Sequence, residues 1–266
     1  MKPTTTSYLA ATTLLMICAA GCAIDDDPDL SVDEQGLVSG NRLSGNRLSG
    51  NGLRLAAVGG ARIGTASGNT VTANPAVVAD LMSTDGGREV LAYAVKCAFS
   101  SSQTLVATYA GTTYSYPGEV GIAPSWSSRG LSHDEQTWMT ACLMARTNYW
   151  GISVPISIRG DFSALATTST EVTAYSVQEG AFFGNLFVSP PVFGTCQGAG
   201  ILNRTPSAWL ALRLCATAVP GTATTACGFV AAGNCRDICA LDPKGYEDCR
   251  LGAVTYGKAI TVYLMP

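Results

Sequence analysis

Charged residues are scarce in this chain, and their scarcity excludes several classes of function. Asp, Glu, Lys and Arg make up 13% of the 266 residues, about half the usual share of roughly 25%. The formal net charge is −3, with 16 basic and 19 acidic side chains, so the sequence has no basic footprint for nucleic acid. A hydrophobic content of 47% supplies a sizeable core and excludes a chain that is disordered throughout.

The sequence contains a single histidine, His133, which limits the catalytic sites it could form. A site that needs two imidazoles is excluded, and a Ser-His-Asp or Cys-His arrangement must use this residue. Ser132 and Glu135 have the spacing of a capping box, so His133 falls in the first turn of a predicted helix over residues 133–148. The helix dipole there disfavours the imidazolium, which suits a general base. The alternative is a solvated residue inside the capping box.

Several familiar catalytic and cofactor motifs are absent from the sequence. No Gly-x-Ser-x-Gly motif occurs, so a serine hydrolase of familiar type is not expected. Phosphate-binding loops, dinucleotide fingerprints and EF-hand loops are also missing, and no cofactor is expected. The chain has no Cys-x-x-Cys pair, and Cys235 and Cys239 have no second pair at finger-like spacing, which argues against a structural metal site.

Residues 1–21 have the features of an export signal. Lys2 supplies a positive charge, and the apolar stretch over residues 8–21 is shorter than the roughly twenty residues that cross a bilayer. The stretch ends in the sequence AAGC at residues 19–22. This ending resembles the lipobox of bacterial lipoproteins, in which small residues precede an invariant cysteine.

The resemblance implies that Cys22 receives a diacylglycerol, that the signal is removed and that the new N-terminus is acylated. Two or more acyl chains hold a protein stably at a membrane. In enterobacterial lipoproteins an aspartate directly after the cysteine marks retention at the inner membrane. Ala23 stands at that position here, which favours the outer membrane or the cell surface. The alternative is an ordinary cleaved signal with Cys22 left unpaired.

Residues 22–69 are predicted to form a solvated tether. Their first part is acidic and poor in aromatic residues. A five-residue repeat follows, as SGNRL at residues 39–43 and 44–48 and as SGNGL at residues 49–53. A period of five matches neither a helix nor a strand, and so few copies do not stack into a solenoid. A flexible or partly docked linker is therefore expected.

Eight cysteines remain when the predicted signal and the lipidated Cys22 are set aside. Export places them in an oxidising compartment, so they are predicted to form four disulfides. We expect Cys97 to pair with Cys142, because both lie on predicted helices far from the other cysteines. Cys196 is expected to pair with Cys215, and the last four among themselves. The eight are Cys97, Cys142, Cys196, Cys215, Cys227, Cys235, Cys239 and Cys249.

Residues 70–266 are predicted to form a single disulfide-stabilised domain of the α+β class. Helices are predicted early: one is capped by Asn74 and begins at Pro75, and two others cover residues 88–99 and 133–148. A hairpin is predicted over residues 103–115. Antiparallel strands are predicted late, at residues 152–158, 172–177, 181–188 and 258–265.

Carboxylates are the remaining route to catalysis, because a glycosidase needs two acids across a cleft and no histidine. Glu179 is the first candidate, since it stands among glycines and phenylalanines, where an apolar pocket would raise its pKa. Asp161 and Glu119 are the candidate partners. The alternative places Glu179 on a turn between two strands and pairs Asp161 with Arg159.

Tryptophans offer a different function, a surface on which carbohydrate stacks. Trp126 has polar neighbours and is the expected exposed residue, whereas Trp138 and Trp209 are expected in the core. We interpret the sequence as an exported, membrane-anchored lipoprotein with a binding or structural domain, whose partner is a glycan or an envelope protein. The alternative is an extracellular carboxylate-dependent hydrolase acting on a glycan. The sequence does not decide whether the chain is an enzyme, and it favours a binding protein over an enzyme.

Overall fold

The computed structural model describes residues 38–39 and 43–266. The predicted export signal and Cys22 lie outside the described residues. Within residues 38–39 and 43–266, no helix combines the length and the apolar character needed to span a bilayer. The α-helices of the described residues are α1 (Gly45–Gly59), α2 (Pro75–Met82), α3 (Asp85–Ala98), α4 (His133–Ala145), α5 (Ser169–Ala174), α6 (Ala199–Leu202), α7 (Leu210–Arg213) and α8 (Cys235–Ile238).

The strands make the fold a mixed α+β structure, as the sequence predicted. The strands of the described residues are β1 (Val38–Ser39), β2 (Leu43–Ser44), β3 (Gly64–Ser67), β4 (Thr70–Ala73), β5 (Thr104–Tyr109), β6 (Thr112–Pro117), β7 (Thr147–Asn148), β8 (Ile156–Arg159), β9 (Val177–Asn185), β10 (Val192–Gln197), β11 (Val230–Asn234), β12 (Ala240–Asp242), β13 (Gly245–Glu247), β14 (Cys249–Leu251), β15 (Val254–Tyr256) and β16 (Ala259–Leu264). The largest sheet among them has six strands in the order β1-β8-β16-β9-β10-β11, and a second sheet has four in the order β3-β4-β5-β6.

The centre of the core is the six-stranded sheet together with α4. Strand β9 lies between β16 and β10, and nearly all of its residues are buried. Helix α4 packs on β9 and β16, and every residue from Thr137 to Ala145 is buried. A helix that is buried all round needs neighbours on more than one side. Helix α3 supplies this second contact and is joined to α4 by the Cys97–Cys142 disulfide.

The four-stranded sheet stands between α1 and α4 in the chain, so strands are not confined to the later part. It contains the predicted hairpin, formed by β5 and β6.

Asn74 caps α2 as predicted, since its side chain accepts a hydrogen bond from the Ala76 N–H. The strand predicted over residues 172–177 is wrong at its start: α5 occupies residues up to Ala174, because Thr168 caps that helix.

The prediction of a tether over residues 22–69 is wrong from residue 43 onwards. The second and third repeat copies, residues 44–53, lie in β2 and α1, which belong to the packed fold, and the pair β3 and β4 spans the predicted boundary at residue 70. Ser44 caps α1 by accepting a hydrogen bond from the Arg47 N–H.

The buried face of α1 does not follow the five-residue period of the repeat. Leu48, Leu55 and Val58 are buried, at helical spacing, whereas Leu53 of the third copy is exposed. The residues after the repeat therefore complete an apolar helical face that the repeat alone does not show. Gly59 on this helix lies against Phe187, where a Cβ would approach the ring to 2.2 Å.

The eight cysteines form four disulfides, but only part of the predicted pairing is confirmed. Cys97–Cys142 is present as predicted, whereas Cys196–Cys215 was wrong and the last four cysteines do not pair only among themselves. The parallel pairing of β10 with β11 sets Asn234 beside Gln197, which brings Cys235 to Cys196. The four bonds are Cys97–Cys142, Cys196–Cys235, Cys215–Cys227 and Cys239–Cys249.

The predicted capping box at the start of α4 is confirmed, and it holds an ionised acid. Glu135 accepts hydrogen bonds from the Ser132 N–H at 2.7 Å, from Arg129 at 2.8 and 3.0 Å, and from the Ser125 hydroxyl at 2.5 Å. Partial burial raises the pKa of this carboxyl, but the hydrogen bonds from Ser125, Arg129 and Ser132 outweigh it and lower the pKa to about 2.

We predict that Glu135→Gln lowers the free energy of unfolding by about 1–2 kcal/mol near neutral pH. The folded-state pKa lies below that of the unfolded carboxyl, so the stabilisation is present above the ordinary pKa of 4.5 and is lost as the pH falls to about 2. Urea unfolding of both proteins across this range measures the difference. Asp134→Asn, an exposed acid in the same turn, is the matched control. An equal difference at both ends of the range would contradict the prediction.

Candidate functional site

Glu179, the first catalytic candidate, lies in the middle of the core. It belongs to β9, and its Oε2 accepts a hydrogen bond from Arg213 Nε at 2.6 Å. Both side chains are almost completely buried. Burial raises the pKa of the Glu179 carboxyl, and the adjacent Arg213 guanidinium opposes that rise. Glu179 therefore faces its ion-pair partner rather than an open cleft, and it is not on a turn.

Arg213 links this acid to the end of α4. Its Nη2 donates to the Ala145 carbonyl at 2.8 Å, its guanidinium carbon lies 5.9 Å from the centroid of the Phe182 ring, and its Nη1 is buried without a hydrogen-bond partner. The Arg213 guanidinium thus donates hydrogen bonds both to a strand, β9, and to the last residue of a helix, α4. This arrangement is a structural ion pair that holds β9, α4 and α7 together.

The other candidate acids have separate cationic partners. Asp161 is exposed and pairs with Lys244, not with Arg159. Glu119 accepts two hydrogen bonds from the buried Arg146, at 2.7 and 2.9 Å. Each of the three acids is thus paired with a different cation: Glu119 with Arg146, Asp161 with Lys244 and Glu179 with Arg213.

His133 is exposed in the first turn of α4, at a cleft of about 300 Å3. Among the described residues, the lining contains no serine or cysteine, so this part of the chain supplies the cleft with neither of the nucleophiles that a His-dependent triad uses. The lining residues are His133, Asp134, Thr137, Asn185, Val188, Val254, Thr255, Tyr256, Gly257 and Lys258.

The prediction that Trp126 is exposed was wrong. Its ring is fully buried, and its Nε1 donates to the Ala61 carbonyl at 3.1 Å. The polar neighbours that suggested exposure are used locally: the Ser125 hydroxyl donates to Glu135, and the Ser127 hydroxyl donates to the Pro124 carbonyl. Trp138 is buried, as expected.

An exposed aromatic patch lies instead directly after α4 and β7. We define it as the 149–152 patch, formed by Tyr149, Trp150 and Ile152, which are 46%, 57% and 42% exposed. The two rings meet edge to face, with centroids 4.8 Å apart and an interplanar angle of 77°. The Trp150 Nε1 donates to the Ala211 carbonyl of α7 at 3.3 Å. Three large apolar side chains thus stand in solvent at one turn.

The buried Asn148 fixes the backbone beneath this patch. Its Oδ1 accepts hydrogen bonds from the Gly151 N–H at 2.5 Å and the Ile152 N–H at 3.3 Å, and its Nδ2 donates to the Ile152 carbonyl. Gly151 has a φ of +64°, a conformation that favours glycine. The Tyr149 N–H donates to the Arg213 carbonyl at 2.9 Å. The patch is therefore attached to the buried ion pair through the backbone.

A signal for this patch was present in the sequence. Two large aromatic residues precede Gly151 at the predicted end of a helix, and adjacent residues at a chain reversal cannot both face the core. The polarity of the residues around Trp126 indicated the wrong tryptophan, because those polar side chains bond locally above a buried ring.

The described residues offer one cluster of potential metal ligands, the sulfurs of Cys196, Cys239 and Cys249, which lie within 4.8 Å of one another. All three are in disulfides, so they present no thiolate, the form in which cysteine binds metal.

Comparison with protein-family models, with curated proteins and with solved structures finds no match for this chain.

We predict that Arg213→Met and Glu179→Leu each lower the free energy of unfolding by about 3–5 kcal/mol, because each leaves a buried charge unpaired. The double variant should lose much less than the sum, since neither charge then remains. Denaturant unfolding of the four proteins measures the coupling. Asp161→Asn, which breaks the exposed pair with Lys244, should leave stability unchanged. Additive losses in the double variant would show that the two side chains are not coupled.

Proposed function

We propose that this chain is an exported lipoprotein, anchored at the outer membrane or the cell surface through Cys22, whose single disulfide-stabilised domain binds a glycan. The observation that carries the binding role is the 149–152 patch. Sugar rings present apolar C–H faces that stack on aromatic side chains, and Trp and Tyr combine such a face with a polar group. An envelope protein is the second class of partner for the same surface.

The geometry of the patch supports a preformed binding site. The Trp150 indole is held by its bond to α7, and Asn148 fixes the turn, so few side-chain rotamers are lost on binding. The two rings stand nearly perpendicular, so they present faces in two directions to a flexible or branched ligand.

The alternative, a carboxylate-dependent glycan hydrolase, has weaker support. It needs two carboxyls facing one cleft, roughly 5–9.5 Å apart. Glu179 is 1% exposed and bound to Arg213, while Asp161 is bound to Lys244 on the surface. We therefore favour binding without catalysis.

The proposed lipid anchor on Cys22 can be tested separately from the binding role. Cys22→Ala should abolish incorporation of a labelled fatty acid and move the protein from the membrane fraction to the soluble fraction, because no acyl chain then holds it. Detergent phase partitioning of the expressed full-length chain measures this. Cys18→Ala, which lies within the predicted signal, is the matched control and should remain acylated. Membrane retention and labelling that persist in Cys22→Ala would refute the anchor.

Binding is tested with Trp150→Ala against a panel of insoluble envelope and plant polysaccharides. We expect the wild-type protein to sediment with at least one of them, and Trp150→Ala to weaken that Kd by about tenfold or more, as removal of a central aromatic contact does. Trp150→Phe keeps a stacking face and should retain most of the affinity.

Leu241→Ala is the matched control, since Leu241 is 69% exposed outside the patch. Sedimentation that is equal in all four proteins would remove the patch from the binding site. Soluble fragments released by the wild-type protein, and lost in a Glu179→Gln variant that is still folded by circular dichroism, would support the hydrolase instead.

A further inference from the structure

Two disulfides of this domain lie in contact with each other. The Cys196 Sγ is 3.7 Å from the Cys239 Sγ, although each is bonded to a different partner, Cys235 and Cys249 respectively. The two sulfurs are therefore at van der Waals distance. The four cysteines are defined here as the sulfur cluster.

The fold holds the sulfur cluster together through one short helical turn. Cys235 begins α8 and Cys239 follows its last residue, and the Cys239 N–H donates to the Cys235 carbonyl at 2.9 Å. Cys196 is fixed in β10, and Cys249 begins β14. The contact between the two disulfides thus arises from regular structure rather than from a free loop.

The four cysteines of the sulfur cluster differ in their exposure to solvent. Cys196, Cys235 and Cys249 are buried, whereas Cys239 is only half-buried. The surroundings are a small apolar cluster that includes Phe183 and Tyr246. A reductant from solvent therefore reaches Cys239 first, and Cys239 is also the residue whose Sγ touches the second disulfide.

We propose that the sulfur cluster is a thiol–disulfide relay that accepts two electrons from an external dithiol. One thiolate of the dithiol attacks the Cys239 Sγ, the Cys239–Cys249 bond breaks, and Cys249 leaves and takes up a proton. The second thiol of the reductant then closes its own disulfide and releases the Cys239 thiolate. This sequence oxidises one dithiol and reduces one disulfide, so electrons and protons balance.

The released Cys239 thiolate then attacks the Cys196 Sγ that it already touches. A Cys196–Cys239 disulfide forms, the Cys196–Cys235 bond breaks, and Cys235 leaves and takes up a proton. The exchange moves the free thiol from a half-buried position to a buried one. Thiols are well accommodated in apolar surroundings, so the product keeps both of its thiols, on Cys235 and Cys249, away from solvent.

The test uses the purified full-length protein and one equivalent of dithiothreitol under native conditions. Thiols are trapped with N-ethylmaleimide, and the disulfides are mapped by mass spectrometry without further reduction. We expect the label on Cys235 and Cys249 together with a new Cys196–Cys239 link. The exchange step should proceed at a rate independent of protein concentration, because it is intramolecular.

Three results would overturn the relay. Label on Cys239 and Cys249 with Cys196–Cys235 intact shows reduction without exchange. Label on Cys196 and Cys235 shows direct reduction of the inner bond, and no label shows that the cluster is closed to dithiols.

A variant gives a second measurement without any added reductant. Cys249→Ser leaves one odd thiol among the eight disulfide-bonded cysteines, and we expect it on Cys235 rather than Cys239. Cys227→Ser is the matched control: its free thiol should stay on Cys215, whose Sγ contacts the Thr147 carbonyl oxygen at 3.2 Å. A free thiol confined to Cys239 in Cys249→Ser would contradict the exchange.

Discussion

A buried guanidinium imposes the constraint on which the centre of this fold depends. Arg213 has no access to solvent, and a positive charge in that position is tolerated only when it is paired and hydrogen-bonded. Glu179 supplies the carboxylate from β9, and the Ala145 carbonyl supplies a second acceptor from the end of α4. These bonds fix where the sheet, α4 and α7 lie with respect to one another.

A backbone hydrogen bond links the buried Arg213 to the exposed 149–152 patch. The Arg213 carbonyl accepts the Tyr149 N–H, so the exposed rings are attached to the most deeply buried part of the core. Strand β7 beside them pairs with β2, which leads into α1. Gly45 at the start of α1 lies so close to Cys227 that a Cβ would stand 2.3 Å from its carbonyl oxygen. The repeat, the ion pair and the patch are therefore parts of one packing arrangement.

The low content of charge has a consequence inside the molecule. Three of the few charged side chains are arginines that are buried in the core: Arg146, Arg159 and Arg213. Arg146 is paired with Glu119, and Arg159 lies 3.8 Å from the centroid of the Tyr263 ring. Charges that would otherwise be at the surface hold the interior together. The surface at the 149–152 patch is apolar and aromatic, which agrees with the proposed recognition of a glycan by stacking rather than by charge.

Features of this fold that depend only on neighbouring residues could be predicted from the amino-acid sequence. The mixed α+β class, the Asn74 cap, the Ser132–Glu135 capping box and the hairpin of β5 and β6 all follow from local patterns, because caps and turns are satisfied within a few residues. Four further features could not be predicted in this way: most of the second and third repeat copies lies in a packed helix, Cys196 bonds Cys235, Glu179 pairs with Arg213, and Trp150 rather than Trp126 is exposed. Each of these depends on which distant segments share the core, and strand pairing between residues far apart in sequence is not encoded in any local period.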